Sequence, residues 1–170
     1  MVQKCSYLRV LEIFFKEPIT IHFIKEISKR ITLAPTSVRN HLAELLKQNL
    51  ILKKKSKPFD GFAANRENDD FIFYKRAYNL YSLKELSDFL VQSYYPKLIV
   101  LFGSYSKGED IESSDIDIFI LTKTKKDIEL GIFEKKLKRK INLMMLDDFD
   151  KLDENIKKKI WNGITLYGGF

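Results

Sequence analysis

The chain has 170 residues and a formal net charge of +7, is 45% hydrophobic and 31% charged, and contains one cysteine. That composition is globular and excludes a disordered chain, while the lone Cys5 excludes an internal disulfide or a cysteine zinc cluster. No apolar run nears the roughly 18 residues a membrane span needs, and Glu12 interrupts the first apolar stretch, so no signal peptide, no membrane and a cytoplasmic location are expected.

The charge is unevenly spread. Residues 1–96 hold 16 Lys+Arg against 10 Asp+Glu, and residues 97–170 hold 14 against 13. Such asymmetry points to a polyanion as the partner of the first half. SYLRVLEIFFK predicts a helix with Leu8, Leu11 and Phe15 on one face, stopped by Pro18. HFIKEISKRI predicts a second, striped by Ile24, Ile27 and Ile31, and Pro35 opens a third in which Val38, Leu42, Leu45 and Leu46 face inward. Thr36, Ser37, Arg39 and Asn40 are then left near its exposed N-terminal end, with His41 beside them. This layout resembles a helix-turn-helix, whose second helix places those positions on base edges of double-stranded DNA.

ILKKKSK and FIFYKRA are expected as two strands, joined by the turn-rich PFDGFAANREND, which makes the layout resemble a winged helix. Five lysines and no acid fall between Lys47 and Lys57, so Lys53, Lys54 and Lys55 are candidates for phosphate contact. A lysine run is more often a solvated face, but this one directly follows the candidate recognition helix. Ser82 and Glu85 stand at capping-box spacing before Leu83, Leu86 and Leu90, predicting a helix that ends before Pro96. The expected domains are residues 1–81 and 82–170, with no flexible linker between them.

LIVLF reads as a buried strand delivering Gly103 and Ser104 to a turn, where a hydroxyl beside free backbone N–H groups suits phosphate oxygens. Gly108 is a second flexible point, and Lys107 is a candidate for phosphate contact, although an exposed lysine is more often only solvated. SSDIDIFIL is a strand with Asp115 and Asp117 on one face and Ile116, Ile118 and Ile120 on the other. Two carboxylates at that spacing have Cα atoms about 7 Å apart and can grip one or two hard cations, naturally Mg²⁺ or else Mn²⁺, which keep their other positions for water and phosphate. Each piece alone is common; their succession is specific.

GSYSKGEDIESSDIDIFI resembles the signature of minimal nucleotidyltransferases of the DNA polymerase beta superfamily, and with the first half the chain is similar to archaeal and other prokaryotic proteins that fuse a winged helix to such a domain. The resemblance implies an α+β fold: an N-terminal winged helix-turn-helix followed by a small mixed sheet with flanking helices. It further implies that Gly103 and Ser104 hold a nucleoside triphosphate, most simply ATP, and that Asp115 and Asp117 bind divalent metal. Two metals would then activate an acceptor hydroxyl and stabilise the leaving pyrophosphate.

The resemblance also implies a third acid, on a strand after the next helix. Thr124 and Asp127 are expected to cap that helix, with Ile128, Ile132 and Leu137 as its stripe, and KINLMML is the strand. It carries Asn142 where the acid is implied. Asp147 and Asp148 follow it and are expected to cap the last helix, striped by Phe149, Leu152, Ile156 and Ile160. Three readings stand at this point. The chain transfers AMP to a protein or nucleic-acid hydroxyl; or it is a catalytically degenerate transcription regulator whose second domain senses nucleotide or only stabilises a dimer; or it is an antitoxin that modifies or masks a small helical toxin. A homodimer is compatible with each.

Overall fold

The computed structural model describes residues 5–57, 59–124 and 126–169, so the loop reading at Pro58 lies outside the described residues. Within them the fold is α+β, with eight α-helices and six strands, and its Cα packing divides it into two units, residues 1–75 and 76–170.

In the first unit, α1 (Ser6–Lys16) buries Val10, Leu11, Ile13, Phe14 and Phe15, while Leu8 is turned to solvent. The buried face is wider than the expected stripe because α2 (Ile24–Ile31), α3 (Pro35–Lys47) and a strand all pack on α1. Thr32, with φ 51°, closes α2 in the left-handed region, and Leu33 N–H donates to the Ser28 carbonyl at 3.0 Å. The chain thereby turns within residues 32–34 into α3, whose first position is Pro35 and whose inner face is Val38, Leu42 and Leu45, with Leu46 half-buried.

β1 (Ile51–Lys54) pairs antiparallel with β2 (Gly61–Ala64), placing Lys53 opposite Phe62 and Lys54 opposite Gly61. His22 joins the far side of β2 through a bridge to Phe62, with N···O distances of 2.8 and 2.9 Å. A Cβ on Gly61 would stand 2.3 Å from Ile21 Cγ2 and 3.1 Å from the His22 carbonyl, so a larger residue there would force Ile21 to shift.

The expected second strand is not FIFYKRA. Those residues belong to α4 (Asp69–Ser82), and GFAA, expected as loop, is the strand. Asn68 Oδ1 accepts the Phe71 N–H at 2.8 Å, and Asp69 and Asp70 complement the positive end of the helix, which outweighs the strand preference of the aromatic residues. Ser82 ends α4 and donates to the Asn79 carbonyl at 2.7 Å, so the expected capping box with Glu85 does not form. α5 (Lys84–Tyr94) instead starts without a side-chain cap and buries Leu86, Leu90 and Tyr94.

The second unit is built on a sheet of order β5-β4-β3-β6. β3 (Leu98–Phe102), fully buried, lies antiparallel to β4 (Ile116–Leu121) and to β6 (Ile164–Gly168), while β5 (Ile141–Leu146) runs parallel to β4. Alternation sorts the strand residues to two faces. Ile99, Leu101, Ile116, Ile118 and Ile120 meet Leu83, Leu86 and Leu90, and Leu98, Val100, Phe102 and Phe119 meet Leu152 and Ile160.

The parallel β4–β5 step needs a crossover, supplied by α7 (Gly131–Leu137). It is shorter than expected. Thr124 N–H is taken by Thr122 Oγ1 at 3.0 Å in a local turn, the helix begins at Gly131, and Ile132 is 79% exposed. α8 (Glu154–Trp161) is capped by Asp153, whereas Asp148 caps a single 3₁₀ turn, Phe149–Lys151. A short helix, α6 (Gly103–Lys107), follows β3, where a turn was expected.

Candidate functional site

β3 ends at Phe102, whose Cα lies opposite Asp117 on β4, and Asp117 is in register with Asn142 on β5. Three neighbouring strands thus bring Gly103, Asp117 and Asn142 to one end of the sheet. Gly103 has φ +76°, and a Cβ there would stand 2.5 Å from Asp117 Oδ2. Glycine is required twice over: for the backbone conformation and for room beside the carboxylate.

Asp115 precedes β4, and it and Asp117 are half-buried. They are linked by Asn142, whose Nδ2 donates to Asp115 Oδ2 and to Asp117 Oδ1, both at 3.2 Å. Among the described residues no group of three or more His, Cys, Asp or Glu side chains is placed to hold a metal. The donor set is therefore two carboxylates and one amide. That set fits magnesium, which takes one or two protein carboxylates and keeps its remaining positions for water and phosphate.

Ser104 is half-buried in the first turn of α6, and Lys107 is exposed at its end. The turn is closed by Gly108 at φ 75°, and Ser106 Oγ donates to the Gly103 carbonyl at 2.8 Å. Behind it lies a buried polar network with no signal in the sequence. Asn79 Nδ2 donates to the Tyr105 carbonyl at 2.9 Å and to Asp110 Oδ1 at 2.8 Å, and Arg139 Nη2 stands 3.6 Å from Asp110 Oδ2. Asp110 is 1% exposed and Arg139 8%, yet each sits among charged neighbours in sequence and reads there as a solvated residue. Tyr105 closes the group through Ser82 Oγ at 3.0 Å. Burial, the main cause, pushes its phenol up to about 12; the Ser82 hydrogen bond works against it.

Asp147 and Asp148 are not part of this group. They follow the opposite end of β5, where Asp147 accepts from Lys151 at 2.8 Å and Asp148 accepts the Asp150 N–H at 3.0 Å. A cavity at that end, lined by Tyr95, Lys97, Thr122 and Asp147, contains none of the candidate site residues.

In the first unit, Thr36, Arg39 and Asn40 are exposed and Ser37 half-buried along the first two turns of α3. His41 is drawn away from them by Ser6, whose Oγ lies 2.9 Å from its Nε2, and by the edge of Tyr7. Lys53, Lys54 and Lys55 are exposed, and Lys53 reaches Asp60 across the hairpin at 3.0 Å. His22 is wholly buried between Glu26 and the Glu17 carbonyl.

Residues 83–164 match the family model for a nucleotidyltransferase domain. No curated protein matches the chain. Among solved structures, a mutant of Lactococcus lactis ZitR is similar over 49% of this chain and 57% of its own, at 15% identity and a TM-score of 0.39. The chain thus spans little more than half of that protein's length. A toxin-antitoxin crystallised with AMP-PNP is similar over 52% of this chain and 73% of its own, at 27% identity and a TM-score of 0.36. Among the described residues no helix is long and apolar enough to cross a membrane.

Proposed function

We propose that this protein is a DNA-binding regulator whose second domain binds a nucleoside triphosphate with magnesium or manganese and transfers nucleotide slowly or not at all. The observation that carries this reading is Asn142. It stands in register with Asp117, on the strand where the resemblance implies a third acid, and its amide donates to both remaining acids.

An amide cannot accept a proton, and a positioned general base typically contributes about 10²- to 10⁴-fold to a proton-transfer step. The binding half of the arrangement does not depend on that base. Asp115 and Asp117 would hold the cation, and Gly103 gives the Asp117 carboxylate its room. The Ser104 hydroxyl and the N–H groups opening α6 would take phosphate oxygens, with Lys107 adding charge from the exposed end. When bound, the cation supplies charge neutralisation of the triphosphate.

In this reading residues 1–81 form a winged helix on duplex DNA. Thr36, Ser37, Arg39 and Asn40 meet base edges, and Lys54 and Lys55, with Lys53, meet phosphates. Support comes from the exposure of these side chains and from the turn at residues 32–34 that sets α3 after α2.

The test is calorimetry with ATP, CTP, GTP and UTP, with and without magnesium, on the wild type and on Asp115→Asn with Asp117→Asn. Magnesium-dependent binding that the double substitution abolishes is expected. Equal affinity with and without magnesium would sink the reading. Incubation with labelled nucleotide addresses transfer: rapid label on the protein, on DNA or on a co-purifying partner would contradict the regulator and favour the transferase.

A further inference from the structure

We infer that the Asn142 side chain occupies the place of one cation, so that the nucleotide-loaded site takes a single divalent metal ion. The inference rests on the reading that Asp115 and Asp117 hold metal with the nucleotide.

Two carboxylates side by side repel one another and call for a proton, a metal or a pair of hydrogen-bond donors between them. A side-chain amide has two N–H donors on one nitrogen. Here that nitrogen is equidistant from the two acids, 3.2 Å from Asp115 Oδ2 and 3.2 Å from Asp117 Oδ1. The reverse orientation would aim the amide oxygen at both carboxylates, so electrostatics selects the donating one.

The backbone of Asn142 is fixed, and its side chain is exposed. Its Cα is held in register with Asp117 by the parallel β4–β5 ladder. That ladder is extended by Ile116 N–H on the Lys140 carbonyl at 2.8 Å, and Glu134 Oε1 takes the Ile141 N–H at 3.0 Å. A cation bridging Asp115 Oδ2 and Asp117 Oδ1 would have to displace this amide nitrogen.

The other side of the site is arranged differently. Asp117 Oδ2 points toward Gly103, into the space that a Cβ would fill, and this is where the α6 turn begins. Each carboxylate thus turns one oxygen to Asn142 and retains a second for metal. A single ion held by the oxygens outside the bridge would leave the Asn142 hydrogen bonds in place. Asn142 brings no negative charge toward a second ion.

The test counts ions. Mn²⁺ is titrated into metal-free protein saturated with an ATP analogue that cannot be cleaved between the α and β phosphates, and bound ion is followed by electron paramagnetic resonance. One protein-dependent Mn²⁺ per chain is expected for the wild type and two for Asn142→Asp. Asn142→Ala removes the bridge without adding charge. Its melting temperature in metal-free buffer should fall below that of the wild type and recover with Mn²⁺. Two ions per wild-type chain, one per Asn142→Asp chain, or an Asn142→Ala melt indifferent to metal overturns the inference while nucleotide-metal binding stands. No protein-dependent Mn²⁺ in any variant, by contrast, removes the parent reading as well.

Discussion

Replacing Gly103 by alanine perturbs the site at one atom. The new Cβ would lie 2.5 Å from Asp117 Oδ2, 3.4 Å from its Cγ and 3.6 Å from its Cβ, in a backbone at φ +76°. The left-handed conformation alone costs a non-glycine residue about 1–2 kcal/mol. Asp117 cannot relieve the clash freely, because it is a short side chain and its other oxygen is held by Asn142 at 3.2 Å. Rotating it away gives up that hydrogen bond, worth about 1 kcal/mol more. The expected loss is therefore about 2–3 kcal/mol in the second domain, which for a unit of that size is a fall of about 10–20 °C in its melting temperature. Calorimetric melting reads the stability, and titration with nucleotide and magnesium reads the site, whose affinity should fall by more than tenfold. Gly131→Ala is the control, since a Cβ there meets nothing within 4 Å at the start of α7. It should be neutral or stabilising by up to about 1 kcal/mol. A Gly103→Ala protein that melts with the wild type and binds nucleotide equally well would refute the account of the turn.

Tyr105 gives an alkaline signature: its phenol is raised from 10.0 to about 12 in the folded protein, so folding favours the neutral form. That stability is complete below pH 10 and is lost as pH rises toward 12, by about 2–3 kcal/mol, and Tyr105→Phe should flatten this part of the wild-type curve in urea unfolding against pH. An unchanged slope in Tyr105→Phe would assign the loss to other groups. Arg139→Met removes the guanidinium beside the buried Asp110 and should cost about 3–5 kcal/mol, most of it recovered when Asp110→Asn is added; a single variant within about 0.5 kcal/mol of wild type would deny the pair any role. For DNA, if about five phosphates are neutralised, the slope of log K against log salt should lie near −4 to −5. Changing Lys53, Lys54 and Lys55 together to alanine should bring it up by about 2–3, and the Lys53 share should be the smallest because Asp60 already engages it. A salt-independent interaction would refute the contact.

What the sequence revealed and concealed follows from which signal each element carries. The strands β3 and β4 are legible because unbroken or alternating apolar residues have few other uses, and the Gly103 to Asp117 succession ties them to a site. α4 was illegible for a definite reason. Its buried positions Phe71, Lys75 and Asn79 recur at helical spacing, but two of the three are polar, so hydrophobic periodicity does not register them. Asn79 is inside because it serves the Tyr105 carbonyl and Asp110, which lie far from it in the chain. β6 was missed because glycines flank it. At Gly163 a Cβ would stand 2.5 Å from the Leu101 carbonyl, so the residue that looks like a breaker permits the strand's approach.

Asn142 shows how far a sequence reading can carry at such a site. Read along the chain it is a deficit, an acid replaced by a neutral group. Read across the sheet it is an addition, because its two donors meet the two carboxylates that would otherwise repel. The distinction has an energetic consequence. A site of three acids would depend on metal for its stability, since removing the cation leaves three like charges together. A site of two acids joined by an amide keeps its shape without metal, because the amide donors stand between the two charges. The missing negative charge and metal-free integrity are therefore one property of this residue.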